Sequence, residues 1–161
     1  MHDPFYSAPD RLAALRSAAA RWLGTPFRAS SRVCGPGGGV DCVRLAYAVH
    51  LAAGAFQPFE VGSLPLDWHR HHDESGILAF FGQDHVRSRL RMYDPEDTPA
   101  EGDLVTVRIG RCVHHLGTVV DLGGGPGLLH VPIGGVVGLW ALPLTTPGAR
   151  VSGFWRILSA S

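Results

Sequence analysis

Three cysteines in 161 residues are too few, and the wrong number, for a disulfide framework. That excludes the small stapled secreted folds and leaves reduced thiols as the expectation, with a Cys34–Cys112 pairing left open. Net charge is lacking too: 14 basic and 14 acidic side chains cancel. The electrostatic case for a nucleic-acid partner goes with it. No apolar run reaches bilayer-crossing length, so no membrane span is expected. Asp3, Asp10, Arg11 and Arg16 interrupt any apolar stretch near the start. The expectation is synthesis in the cytoplasm without a secretory signal.

What is present reads as one domain over residues 1–161, with 45% apolar and 17% charged residues. A chain of that size buries a sizeable core unaided. Glycine is plentiful, 21 residues, and clusters in loops.

One stretch organises the rest. Gly35-Pro36-Gly37-Gly38-Gly39-Val40-Asp41-Cys42 empties into the apolar run Val43 to Ala53. Leu45, Ala46, Val49 and Ala53 recur at helical spacing. Asp41 suits an N-cap and Gly54 a C-terminal stop. Cys42 therefore falls in the first turn of a mostly buried helix, where orphan N–H groups and the helix dipole favour a thiolate. The plainer alternative is a small buried cysteine at a helix start.

Ser7 to Leu23 reads as an amphipathic helix with Leu12, Leu15, Ala19 and Trp22 on one face and a Ser7/Asp10 capping box. Gly24 and Pro26 end it, and Phe27 anchors the following loop. Phe56 to Thr98 is the least regular part. A short helix capped by Ser75 carries Ile77, Leu78, Phe80 and Phe81 and extends toward Leu90. His69-Arg70-His71-His72-Asp73 does not put its histidines on one face of a regular element, so it reads as polar loop or cleft rim before it reads as a metal site.

From Pro99 onward the texture is that of strands. Leu104 to Ile109, Val113 to Asp121, Leu128 to Pro132, Val136 to Leu142 and Val151 to Leu158 are separated by turn residues. Helices followed by an antiparallel meander of five to six strands define an α+β domain.

His115 and His130 flank the glycine loop Gly123 to Gly127. A simple hairpin register places them opposite each other on one sheet face. Cys42 as nucleophile, His115 as base and His130 as the orienting group supply a cysteine-hydrolase triad, with the Cys42 N–H available to an oxyanion. His114 is the competing base, pointing to the other face. A zinc site built from Cys34, Cys42, Cys112 and His114 or His115 is the metal alternative, weakened by the lack of a tight knuckle.

Trp22-Leu23-Gly24-Thr25-Pro26-Phe27, Gly39-Val40-Asp41-Cys42, Gly102-Asp103-Leu104-Val105, His115-Leu116-Gly117-Thr118-Val119-Val120 and Leu129-His130 resemble, in order and spacing, the NlpC/P60 cysteine peptidases. The likeness runs toward the phage-type branch of tail and gene-transfer-particle cell-wall peptidases, with residues 56–98 as the longer insert of that branch. It implies a papain-like fold, a cysteine-bearing helix packed on an antiparallel sheet bearing the histidines. It implies hydrolysis of amide bonds in peptidoglycan stem peptides by Cys42, His115 and His130. No cofactor or metal is implied.

By the same resemblance Asp41, Phe27, Val43 and Arg44 fall at substrate-binding positions, Asp41 toward a substrate amino group. Phe27 stands where the family often has a tyrosine that assists the oxyanion. Val43-Arg44 stand where Ser-Gly is common. Phage-like tail proteins are the implied partners and a particle-associated location follows. A structural tail component with little activity and a related acyltransferase are the alternatives.

Overall fold

The computed structural model describes residues 2–61, 77, 81–109 and 112–160. Pro9 opens the first helix, α1 (Pro9–Trp22), because its fixed φ suits the first helical position. The expected capping box does not form. No side chain caps this end, and Ser7 Oγ donates instead to the Pro4 carbonyl at 2.9 Å, beside a 3-10 turn over Phe5–Ser7. Leu15, Ala18, Ala19 and Trp22 are buried along one face. Gly24, with φ at +82°, turns the chain out of the helix.

The next segment is stitched to distant strands, which explains why it carries no regular element of its own. Gly24 N–H donates to Val137 O, Val137 N–H to Thr25 O, and Phe27 N–H to Gly135 O, all within 3.0 Å. Two short strands, β1 (Arg32–Val33) and β2 (Gly39–Val40), then pair antiparallel. They deliver the chain to α2 (Cys42–Ala52). Every residue of α2 from Cys42 to His50 is buried, the mostly apolar side chains in the core and Arg44 and His50 on polar partners. Gly54, at φ +79°, follows the helix as the sequence suggests.

Residues 69–73 and most of the Ser75-capped helix lie outside the described residues. Beyond them, a single helical turn, Asp84–Arg87, gives way to strand β3 (Leu90–Tyr93). This corrects the expectation of a helix reaching Leu90. Pairing with a distant strand overrides the local helical preference.

Five further strands follow: β4 (Leu104–Ile109), β5 (Cys112–Asp121), β6 (Pro126–His130), β7 (Gly138–Ala141) and β8 (Ala149–Ile157). They form one antiparallel six-stranded sheet in the order β3-β8-β4-β5-β6-β7. The chain is thus α+β as expected, but not a pure meander. The last strand returns to lie between β3 and β4, a placement that depends on non-local pairing and leaves no local mark in the sequence.

The two sheet faces bury different cores. On one, Leu116, Val120 and Leu129 pack with Leu15, Trp22, Leu45 and Val49 of the helices. On the other, Val105, Val107, Val119, Leu128 and Phe154 form a second cluster. The alternation along β5 and β6 assigns each residue its face.

His50 joins the helix layer to the sheet. It is fully buried, with Nδ1 2.6 Å from Tyr6 Oη and Nε2 3.2 Å from Thr118 Oγ1. Burial pushes its pKa down to about 3, so the ring is neutral. Gly102, at φ +91°, lies where any Cβ would run into the Tyr6 ring. Asp103, beside it, is held by a two-pronged ion pair with Arg156 at 2.9 and 3.0 Å.

Candidate functional site

Asp41 caps α2 as its position suggests, accepting the Arg44 backbone N–H at 2.9 Å. Its other oxygen accepts from Ser30 N–H and from Arg44 Nη1, both at 2.8 Å. Arg44 reaches on to the Val61 carbonyl at 2.9 Å. Asp41 is 1% exposed, so its carboxylate faces protein rather than solvent. Ser30, at φ 55°, holds a left-handed backbone that this hydrogen bond supports. The position that the resemblance assigns to a substrate amine is filled here by the chain's own guanidinium.

Val43 is 1% exposed and belongs to the core. The helix turns it inward, beside the equally buried Cys42. Phe27 is half-buried against the main core and bridges to Val40, just ahead of the cysteine helix. Arg44 borders a cleft of about 350 Å³ shared with Arg32, Tyr47, Phe59 and Glu60. Arg32 sits over the Tyr47 ring at 5.0 Å. The sequence does not reveal this cleft, because β1 and the residues after α2 meet only in the fold.

Cys42 occupies the first position of α2 and is 3% exposed. Burial, helped by the Asp41 charge, pushes its thiol up to about 12. The backbone N–H groups of Leu116, Val43 and Cys42 itself pull the other way. The Leu116 contribution locates the sulfur. Val119 N–H donates toward β4, to Asp103 O at 2.9 Å. Backbone groups alternate sides along an antiparallel strand, so those of Leu116 point toward β6. Pairing of β5 with β6 runs only from Asp121–Pro126 to Thr118–Leu129. The Leu116 N–H therefore opens into a fork where β6 has left β5, and the sulfur lies against it.

The residue before Leu116 is His115. Its Nε2 lies 2.8 Å from His130 Nδ1, with the rings edge to face at 85°. The pair forms, but not by the expected register. Thr118 faces Leu129, so the ladder carries Gly117, not His115, to the level of His130. His115 is a diagonal neighbour within reach of an aromatic ring. It pairs across β4 with Val107, a member of the second cluster. The two imidazoles thus share one face of the sheet, that of the second cluster.

His115 and His130 are both buried, at 8% and 2% exposure. Burial pushes His130 down to about 4, so it is neutral at physiological pH. Trp140, which sequence reasoning passes over, lies against both rings. An isolated tryptophan in a four-residue edge strand gives no signal of which face it takes.

Cys34 is an exposed free thiol whose Sγ donates to Arg21 O at 3.1 Å. Among the described residues no three His, Cys, Asp or Glu side chains gather as a metal site would need.

Helices packed on an antiparallel six-stranded sheet form a papain-like NlpC/P60 fold, and solved structures share that fold. RipD from Mycobacterium tuberculosis matches at TM-score 0.52 and 19% identity, over 92% of this chain and 98% of that one. It is described as a non-catalytic NlpC/p60 domain protein adapted to a peptidoglycan-binding function. A lipoprotein-like protein of the NLP/P60 family from Staphylococcus aureus subsp. aureus Mu50 matches at TM-score 0.56 and 16% identity, over 98% of this chain. The present chain spans 44% of that protein's length. No family model matches the sequence, and no curated protein does.

Proposed function

We propose that this chain is an NlpC/P60-type cysteine hydrolase that cuts amide bonds in peptidoglycan stem peptides. One observation carries the reading: Cys42 opens the buried helix α2 against the sheet, and two histidines of that sheet, His115 and His130, are bonded ring to ring at 2.8 Å. The sequence resemblance and the shared fold support it. The phage-tail setting rests on the sequence resemblance alone.

The chemistry follows from the protonation states. Cys42 is a neutral thiol at pH 7, so a base must take its proton as the sulfur attacks the substrate carbonyl carbon. In the tautomer where His115 Nε2–H donates to His130 Nδ1, the nitrogen of His115 that accepts a proton is Nδ1. The tetrahedral oxyanion takes the Cys42 N–H at the positive end of α2. The imidazolium returns its proton to the leaving amine, and water then hydrolyses the thioester. Purified muropeptides digested by the wild type and by Cys42→Ala, and compared by mass spectrometry, test this. Shorter products from the wild type alone are expected; identical product patterns overturn it.

A second reading has its own observation. Cys42 is 3% exposed, and its thiol is pushed up to about 12. A chain that binds the peptide without cutting it, as RipD is described, has no use for an activated sulfur. Binding of muropeptides without products, equal in the wild type and Cys42→Ala, is its signature.

A further inference from the structure

His130 has glycine at both neighbouring sheet positions. Its partner on β7 is Gly138. On β5 the register carries it to Gly117. Leu128 fills the space over Gly117, where an added Cβ would come within 2.5 Å of Leu128 Cδ1. Over Gly138 the nearest atom is a backbone oxygen at 4.0 Å. Neither glycine has a side chain to hold the imidazole.

Trp140 takes that place. It pairs with Leu128 across β6 and β7, so it shares the face of Leu128 and His130. Its ring lies 3.8 Å from His130, centroid to centroid, and 5.4 Å from His115. With 5.0 Å between the imidazoles, the three rings close into one group.

We propose that Trp140 is a positioning residue that fixes the His130 ring, and through their hydrogen bond the His115 ring, in the orientation that proton transfer from Cys42 requires. The inference rests on the hydrolase reading. Rotation of a histidine ring about χ2 is soft, and one hydrogen bond at its edge leaves the ring plane free to tilt. An indole packed on the ring removes that freedom. Its face also favours positive charge nearby, which forms on His115 when it takes a proton. By covering His130 it contributes to the burial that keeps this ring neutral. The groups around His130 leave little else to set its titration. The β7 strand and residues 131–137 carry no charged side chain, His115 faces it from β5, and Cys42 is the titratable group that opens α2.

Histidine ring titration by NMR tests this on the full chain carrying Cys34→Ser and Cys112→Ser, beside the pH profile of Cys42 alkylation by a small electrophile. Trp140→Phe keeps an aromatic face and is expected to leave both readouts within about twofold. Trp140→Leu is expected to raise the His130 midpoint by about one unit and to slow Cys42 alkylation about tenfold near pH 7. A folded Trp140→Leu that titrates and alkylates like its parent overturns the proposal. Should that variant not fold, the parent decides. Strong, pH-stable cross-relaxation between the Trp140 and His130 rings is expected; a His130 ring averaging over its flips contradicts it. None of these readouts needs hydrolysis, so failure here and failure to cut muropeptides are separate results.

Discussion

His115 and His130 are bonded at 2.8 Å although the sheet register sets His130 level with Gly117. The contact is diagonal and crosses the end of the β5–β6 ladder, so it depends on both rings leaning toward one another. Removing one ring should therefore disturb the other more than it disturbs the sheet. His130→Ala is expected to lower kcat for muropeptide cleavage by about 10²-fold with KM little changed, while His130→Asn, which still offers an acceptor, recovers part of it. Steady-state kinetics on a purified stem peptide check this.

Cys42 and Cys34 should separate cleanly by reactivity. Cys34 is exposed and Cys42 is buried with its thiol pushed up to about 12. With a neutral alkylating agent, Cys34 reacts first. In a Cys34→Ser/Cys112→Ser chain, alkylation of Cys42 is slow at pH 7 and keeps rising up to about pH 10 without a plateau. Mass spectrometry of the intact chain over a pH series gives the profile. A plateau below pH 8 would show a preformed thiolate.

Stability should fall on acidification through a window set by two histidines. Folding lowers His50 to about 3 and His130 to about 4, from 6.5 in an unconstrained chain. The unfolded state therefore binds more protons between those values, and the stabilisation is complete above about pH 6.5 and lost as pH drops toward 4. Each group contributes at most about 1.4 kcal/mol per pH unit within its window. Urea unfolding at pH 7, 5.5 and 4.5 should show a falling midpoint, and His50→Gln should flatten the slope. Tyr6→Phe, which removes a partner of a buried ring nitrogen, is expected to cost about 1–3 kcal/mol at pH 7.

Asp41 and Arg44 form a buried ion pair at 2.8 Å that also caps the cysteine helix. Asp41→Ala leaves the guanidinium without its counter-charge and is expected to cost about 3–5 kcal/mol. Because the cap is lost as well, about 1 kcal/mol of that cost should remain in the double variant Asp41→Ala/Arg44→Ala, measured in a double-mutant cycle by urea unfolding. Additive single costs would mean that the two side chains do not depend on each other.

Local chemistry made much of this legible. Asp41 before an apolar run, and Gly54 after it, marked α2 because capping and left-handed stops act within a few residues. The β-branched runs from Leu104 and from Val113 marked β4 and β5 for the same reason. What escaped depends on partners far along the chain. Leu90–Tyr93 is a strand because β8 pairs with it, and β8 lies beside β4 because the chain returns there. Val43, assigned to substrate binding by resemblance, packs in the core, and that packing is set by helices and strands that meet only in the fold. The parity of His115 and His130 was readable, since alternation is local. Their offset was not, because it is set by where Thr118 meets Leu129. Trp140 joined the site only through pairing of β6 with β7.

The central claim is that the sulfur of Cys42 forms a covalent bond to substrate with His115 taking its proton. Acid-quenched intact-mass spectrometry after brief mixing with muropeptides reads this directly. The expected result is a thioester adduct of one peptide fragment on the wild type, absent from Cys42→Ala and strongly reduced in His115→Ala. Cleavage products that form at equal rates in all three chains, or bound peptide with neither adduct nor product, would contradict it.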